Sequence, residues 1–199
     1  MQQTRVKDTI YIAVFAAIIA VMAQLSIPMP SGVPMTLQTL AVPLAGIVLG
    51  AKRGTIATLL YVLLGFVGVP VFAGFTGGPG IVLGVTGGFI VSFPVMAWLA
   101  GLGMRYADRA REQGRRTAGW IAIYIGLISG AVINYIVGMV WFTVATKGSL
   151  KEAFALCVLP FLPTALVKII IAGMLGVLLR SVLVRAHVLE LPQGAVADE

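Results

Sequence analysis

Two long stretches without any charged residue constrain this chain more than any other feature. No Asp, Glu, Lys or Arg occurs between Asp8 and Lys52, and none occurs between Arg53 and Arg105. A membrane-spanning helix needs about 20 apolar residues, so each stretch is long enough for two crossings. Of the 199 residues, 59% are hydrophobic and 11% are charged, whereas soluble domains carry about 25% charged residues. The sequence therefore excludes a soluble globular protein and predicts an integral membrane protein.

Proline and glycine divide the uncharged stretches into predicted helices. Segments 28–34 and 70–80 are rich in both residues, which punctuate helices and mark loops. Two further apolar segments follow the polar stretch 105–117. We predict one all-α membrane domain over residues 1–199 with six transmembrane helices, at about 9–27, 35–51, 55–69, 81–103, 120–146 and 162–184.

The basic residues predict the orientation, because Lys and Arg beside membrane spans stay on the cytoplasmic side. One side carries most of the 14 basic residues: Arg5, Lys7, Lys52, Arg53, Arg105, Arg109, Arg111, Arg115, Arg116, Arg180 and Arg185. The loops on the opposite side carry Lys147 and Lys151 alone. Both termini are therefore predicted to be cytoplasmic, with segments 28–34 and 70–80 outside. The net charge of +7 is explained by the basic residues of the cytoplasmic loops, which lie beside the membrane lipids. We therefore predict no nucleic-acid partner. Interfacial belts are the expected place for Trp98, Trp120 and Trp141.

Catalytic and metal-binding residues cannot be assembled within the predicted spans. All seven acidic residues fall in tails, loops or span edges, and the chain has one cysteine, Cys157, and one histidine, His187. We therefore predict no enzymatic activity, no metal site and no cofactor. A phosphate-binding loop of the form GxxxxGK[ST] is also missing, so ATP-driven work would require another chain that binds ATP.

Lys168 lies inside the sixth predicted span, five residues after Pro163. A cation at such a position costs about 2.5–3.5 kcal/mol on insertion scales and is by default a functional hypothesis. Because no acidic residue in the predicted spans can pair with Lys168, its counter-ion could be a ligand carboxylate. The alternative is a lysine that reaches towards the outer headgroups through its long stem.

The glycine-rich segment 65–88 permits two interpretations. Small residues allow helices to pack closely, while helices broken by Gly and Pro expose backbone amides that can line a cavity. Polar residues offer further candidates for ligand contact. Thr36, Gln38 and Thr86 lie at the level of an outer pocket. Asn134, near the middle of the fifth predicted span, could either join two helices or contact a ligand.

Small residues spaced four apart mark the first predicted helix. Ala13 pairs with Ala17, and Ala16 pairs with Ala20, a spacing that lets another helix approach closely. The pairs could pack within this chain or dock a partner subunit.

Several segments together resemble the BioY family, the biotin-specific substrate-binding (S) components of energy-coupling factor (ECF) transporters. In chain order they are QLSIPMP (24–30), PMTLQTLAVPLAGIVLG (34–50), GVPVFAGFTGG (68–78), GVTGGF (84–89), YIVGMVW (135–141) and LPFLPTALVK (159–168). The family usually reads PGDLIK where this chain has Thr164 and Ala165 before Lys168, and GPTGGY where it has Val85 and Phe89.

The resemblance implies an S-component-like protein with six helices in the cell membrane and an outward-facing pocket for biotin. A transmembrane coupling subunit and a pair of ATPases would be its partners, with Ala13 and Ala17 facing the coupling subunit and Lys168 meeting the biotin carboxylate. Four more candidates for ligand contact lie in the matching segments: Phe72, Gly74, Gly87 and Tyr135.

Other functions remain open from the sequence. The ligand could be a biotin relative or another small carboxylate. A self-contained secondary transporter or facilitator would need coupling charges or an internal repeat, and a membrane scaffold would need neither Lys168 nor the glycine-rich break.

Overall fold

The computed structural model describes residues 2–186 and 188–189 of the chain. His187, the single histidine, lies outside the described residues. The described residues form eight α-helices and a two-stranded antiparallel hairpin. The elements are α1 (Gln2–Gln24), β1 (Ser26–Ile27), β2 (Met35–Thr36), α2 (Gln38–Leu49), α3 (Ala51–Phe66), α4 (Pro79–Leu83), α5 (Gly87–Glu112), α6 (Arg116–Thr146), α7 (Leu150–Cys157) and α8 (Leu162–Arg185).

Within the described residues, four stretches of helix are long and apolar enough to cross a membrane. They are Val6–Gln24, Gly87–Glu112, Arg116–Thr146 and Leu150–Arg185, the last combining α7 with α8. Helices α2 and α3 are shorter, with 12 and 16 residues. At 1.5 Å per residue α2 is about 18 Å long, less than the hydrocarbon thickness of about 30 Å. The exact number of six crossings therefore remains a prediction.

Helix α2 occupies the centre of the bundle. Every residue from Leu40 to Leu49 is buried, and α2 packs against α1, α3, α5 and α8. Its sequence is apolar on all sides, which is typical of a helix that is surrounded by protein. The predicted second span began at Met35, but Met35 and Thr36 form strand β2 and the helix begins at Gln38.

Glycines allow the central helices to approach closely. A Cβ atom added at Gly46 of α2 would lie 2.0 Å from the carbonyl oxygen of Ala97 in α5, and one added at Gly103 of α5 would lie 2.6 Å from that of Ala122 in α6. Neither distance is compatible with a side chain. Close packing by small residues therefore explains these positions, as expected for helices that associate within a membrane.

A buried ion pair joins three helices at the end of the bundle opposite the β hairpin. The guanidinium of Arg180 on α8 donates to the Asp108 carboxylate on α5 at 2.7 Å and to the Ile47 carbonyl oxygen on α2 at 2.9 Å. Arg180 is 8% exposed. The sequence groups Arg180 with the basic residues of the predicted cytoplasmic side, and the structure adds that its side chain turns inwards and that its charge is compensated.

Candidate ligand-binding site

A cavity of about 420 Å³ lies between the β hairpin, α4 and the facing parts of α2, α5 and α6. Small-molecule sites commonly measure about 300–1,000 Å³. Both segments that break the predicted spans contribute to its wall, through Gly32, Val33 and Pro34 from the first and Phe72, Ala73, Thr76 and Gly80 from the second. The chain thus brings its two Pro/Gly-rich segments together around one cavity.

Six of the predicted site residues line this cavity. They are Thr36, Gln38, Phe72, Thr86, Asn134 and Tyr135. Four separate stretches of the chain supply them, so the cavity exists only in the folded bundle.

Sequence reasoning missed several residues of the wall. Thr39 follows Gln38 in the TLQTLAV segment, and its position one residue after a predicted contact could have indicated it. Phe89 and Phe161 line the cavity as well. Phe161 reaches it because the chain turns through a short 3-10 helix, Leu159–Phe161, between α7 and α8, which apolar periodicity alone does not reveal.

The ammonium group of Lys168 is hydrogen-bonded within the helix bundle. Its Nζ atom donates to the Thr36 carbonyl oxygen at 2.7 Å and to Thr39 Oγ1 at 3.2 Å. It lines a small side cavity that shares Thr39, Asn134 and Tyr135 with the large one. An ammonium group has three donors, and the third has no partner among the residues that the structure describes.

Residue Ala165 also lines the side cavity. It occupies the place of the aspartate that the related segment usually carries, so no carboxylate is supplied to Lys168 from this position. The preceding Thr164 turns its hydroxyl back to the Phe161 carbonyl oxygen at 2.9 Å.

Gln38 belongs to a buried polar network. Its side-chain oxygen accepts from Thr36 Oγ1 at 2.8 Å, and its amide nitrogen donates to the Tyr61 hydroxyl. Thr36 Oγ1 also accepts from the backbone N–H of Gln38 at 3.2 Å. These bonds fix the start of α2 at the cavity wall and leave one amide hydrogen of Gln38 for another acceptor.

Asn134 joins α5 and α6 and also faces the cavity. Its amide nitrogen donates to the Phe89 carbonyl oxygen at 2.9 Å and to Ser92 Oγ at 2.8 Å. Both hydrogens of the amide are used, whereas the side-chain oxygen receives no hydrogen bond from the described residues. Asn134 therefore connects the two helices, and its contact with a ligand stays a prediction that the free acceptor at the cavity wall permits.

The remaining two glycine candidates do not line the cavity. Gly74 lies in a turn with φ +70°. A Cβ atom at Gly87 would lie 1.8 Å from the Val82 carbonyl oxygen and 2.8 Å from Trp141 Nε1, so Gly87 permits α4 to pack on α5. Trp141 in turn donates to the Gly84 carbonyl oxygen at 2.9 Å, which makes it a support for the cavity wall.

The alanines of α1 separate into two faces. Ala16 is 4% exposed and packs with the partly buried Ala20 in the central core. Ala13 and Ala17 are exposed. Internal packing therefore explains the second pair, and a partner helix could approach the first.

Comparison with known proteins identifies the family. The model of the BioY family matches residues 1–185. The chain belongs to the BioY family. A "probable biotin transporter BioY" from Pyrococcus horikoshii is 39% identical over 82% of this chain and 90% of its own length. The "biotin transporter BioY2" of Lactococcus lactis is 37% identical over 90% of this chain and 93% of its own.

A solved structure of similar fold supports the same family. The crystal structure of the S-component for biotin from an ECF-type ABC transporter matches with a TM-score of 0.78 and 26% sequence identity, over 91% of this chain and 94% of that one. This BioY family member is therefore an all-α, multi-pass protein of the cell membrane with the fold of an ECF S-component. It is a component of a transport system and not an enzyme.

Proposed function

We propose that the chain binds biotin in the large cavity and serves as the substrate-binding subunit of an ATP-driven uptake system. The observation that carries the proposal is the ammonium group of Lys168, which keeps one donor free beside the cavity and has no carboxylate partner among the described residues. The names of the relatives support biotin as the ligand.

The chemistry of the cavity suits the two ends of biotin. Biotin carries a carboxylate on an apolar chain and a ureido ring with two N–H donors and a carbonyl acceptor. Lys168 would take the carboxylate, with Thr39 and Tyr135 at the junction of the two cavities. The free oxygen of Asn134 and the free amide hydrogen of Gln38 match ureido groups, with Thr36 and Thr86 adding hydroxyls. Phe72 supplies an apolar surface for the ring.

Delivery would depend on other chains. The chain carries no phosphate-binding loop, so a pair of ATPases and a transmembrane coupling subunit would supply the energy, as in an ECF system. The exposed Ala13 and Ala17 would receive a helix of the coupling subunit, since small side chains let helix backbones approach closely. With six crossings and both termini in the cytoplasm, the end of the bundle that holds the cavity would face the outside.

Calorimetric titration tests the ligand assignment. The purified chain in detergent is titrated with biotin and with biotin amide, which lacks the anion. We expect biotin to bind more tightly than its amide. If neither biotin nor its amide binds, and mass spectrometry finds a different small carboxylate in the purified protein, that carboxylate is the ligand and not biotin.

Vesicle uptake tests the dependence on partners. Labelled biotin is offered to vesicles that contain the chain alone, or the chain with the coupling subunit and ATPases plus ATP. We expect accumulation in the second case only. Accumulation by the chain alone would indicate a self-contained transporter.

A further inference from the structure

The side chain of Gln24, at the end of α1, does not line the large cavity but binds the segment that does. Its Nε2 atom donates to the carbonyl oxygens of Val71 at 3.2 Å and Phe72 at 3.1 Å, and to that of Ala20 within α1 at 3.0 Å. Its Oε1 atom accepts from the backbone N–H of Phe75 at 2.8 Å. One side chain thus makes three contacts with residues 71–75.

The orientation of the Gln24 amide follows from these partners. The nitrogen faces carbonyl oxygens, which only accept, and the oxygen faces an N–H group, which only donates. A reversed amide would lose every one of these contacts. The match of donors and acceptors therefore fixes segment 71–75 against the end of α1.

Residues 72–76 form a tight hairpin. Phe72 and Thr76 exchange backbone hydrogen bonds of 2.9 and 3.3 Å. Gly74 and Phe75 between them have φ of +70° and +55°. Residues other than glycine rarely adopt positive φ, and the Phe75 side chain is 73% exposed, so its own packing contributes little to holding this conformation. The bond from Phe75 N–H to Gln24 is thus an external anchor for the tip.

This hairpin is one wall of the cavity. Phe72, Ala73 and Thr76 line the cavity, and the Phe72 ring meets the Tyr61 ring edge-on with centroids 5.6 Å apart. Moving the hairpin away from α1 would open the cavity on this side. Gln24, which does not line the cavity, is therefore one of the contacts that hold this wall in place.

We infer that Gln24 is a positioning residue that holds the hairpin 72–76 closed and so slows the escape of the bound ligand. The inference rests on the proposed function, because it takes biotin as the ligand in the cavity. It assigns to the outer end of α1 a role in ligand retention, separate from Ala13 and Ala17 on the same helix.

Rates of biotin binding and release test the inference. Gln24→Met keeps the length of the side chain but removes all its hydrogen bonds. We expect dissociation to accelerate by about tenfold or more, the factor that one or two net hydrogen bonds would give, with little change in the association rate. Gln24→Glu keeps the acceptor for Phe75 but replaces the amide nitrogen by an oxygen that faces three carbonyl groups, so it should also release biotin faster.

Gln113→Met is the matched control, because Gln113 is exposed beyond the end of α5 and lines neither cavity. It should dissociate at the wild-type rate. A general loss of folding would lower the fraction of protein that binds without changing the rate at which bound molecules release biotin. Wild-type dissociation rates in both Gln24 variants would overturn the inference.

Amide hydrogen exchange gives a second measurement that needs no ligand. In the wild-type protein the Phe75 amide should be protected, and Gln24→Met should lose this protection while Phe72 and Thr76 lose part of theirs. Equal exchange at residues 72–76 in both proteins would contradict the inference. If Gln24→Met does not fold, the wild-type protein alone still tests the inference, because rapid exchange of its Phe75 amide would contradict the anchoring role of Gln24. Absence of biotin binding by wild type would instead contradict the proposed function, while exchange would still decide the role of Gln24.

Discussion

The Nζ atom of Lys168 lies 2.7 Å from the carbonyl oxygen of Thr36, although the two residues are 132 positions apart in the chain. This bond connects α8 to strand β2 just before α2 begins. It holds the ammonium group beside the cavity, with Thr39 Oγ1 as a second acceptor. Lys168 is therefore both a link between two parts of the bundle and a cation placed next to the space proposed for the ligand.

The first prediction concerns the charge of Lys168. A charge-assisted hydrogen bond contributes about 1.5–3 kcal/mol, so Lys168→Met should weaken biotin binding by roughly 10- to 150-fold, at 1.4 kcal/mol per tenfold. The variant should also lose most of the preference for biotin over biotin amide. Calorimetric titration of both ligands measures the two effects.

Lys151→Met controls for the loss of one positive charge, because Lys151 is exposed on α7. It should bind both ligands as wild type does. If Lys168→Met weakens the binding of biotin and of biotin amide equally, Lys168 acts only through its bonds with Thr36 and Thr39, because those bonds do not depend on the charge of the ligand.

Local sequence patterns predicted the class of fold and part of the site. The apolar segments identified the helical membrane protein, and Lys168 was conspicuous because a cation inside an apolar segment is costly. The Pro/Gly-rich segments were identified as breaks. What these features share is that each is visible within about 20 residues of sequence.

Contacts between distant residues could not be predicted in this way. Gly87 was expected to touch the ligand, but its small size serves the contact with Val82 and Trp141. Arg180 was counted only as one of the basic residues at the C-terminal end, because nothing near it in sequence shows that Asp108, on another helix, compensates its charge. Apolarity shows that a segment is buried or lipid-facing, and it does not show which helix lies opposite.

The second prediction compares two ion pairs. Asp108→Ala would leave the buried Arg180 guanidinium without its carboxylate, a change that costs about 3–5 kcal/mol in buried pairs. Asp8→Ala would break a pair with Arg53 at 2.8 Å, whose side chains are 27% and 33% exposed, and pairs of that kind contribute about 0–1 kcal/mol. Thermal unfolding in detergent should therefore show a much lower Tm for Asp108→Ala than for Asp8→Ala. Similar Tm values for the two variants would show that Arg180 does not need Asp108.

The third prediction concerns orientation in the membrane. A cysteine at Gln113, in the turn between α5 and α6, should resist an impermeant thiol reagent in intact cells, since Arg109, Arg111, Arg115 and Arg116 around it favour the cytoplasmic side. A cysteine at Lys151 should react. Wild-type protein gives the background, because Cys157 is 1% exposed. Labelling at position 113 with none at 151 would reverse the orientation and place the cavity on the cytoplasmic side.

The last prediction concerns the exposed face of α1. Ala17→Trp adds bulk where the structure shows no packing within the chain, so biotin binding by the isolated protein should remain at the wild-type level. Assembly with the coupling subunit and ATPases should be lost, because a tryptophan keeps a second helix from approaching the Ala13 and Ala17 backbone. Co-purification of the complex and ATP-dependent uptake in vesicles measure this. Ile128→Trp, at a half-exposed position on α6, adds a similar ring elsewhere and should leave assembly intact. If Ala17→Trp assembles and transports as well as Ile128→Trp does, Ala13 and Ala17 face lipid rather than a partner helix.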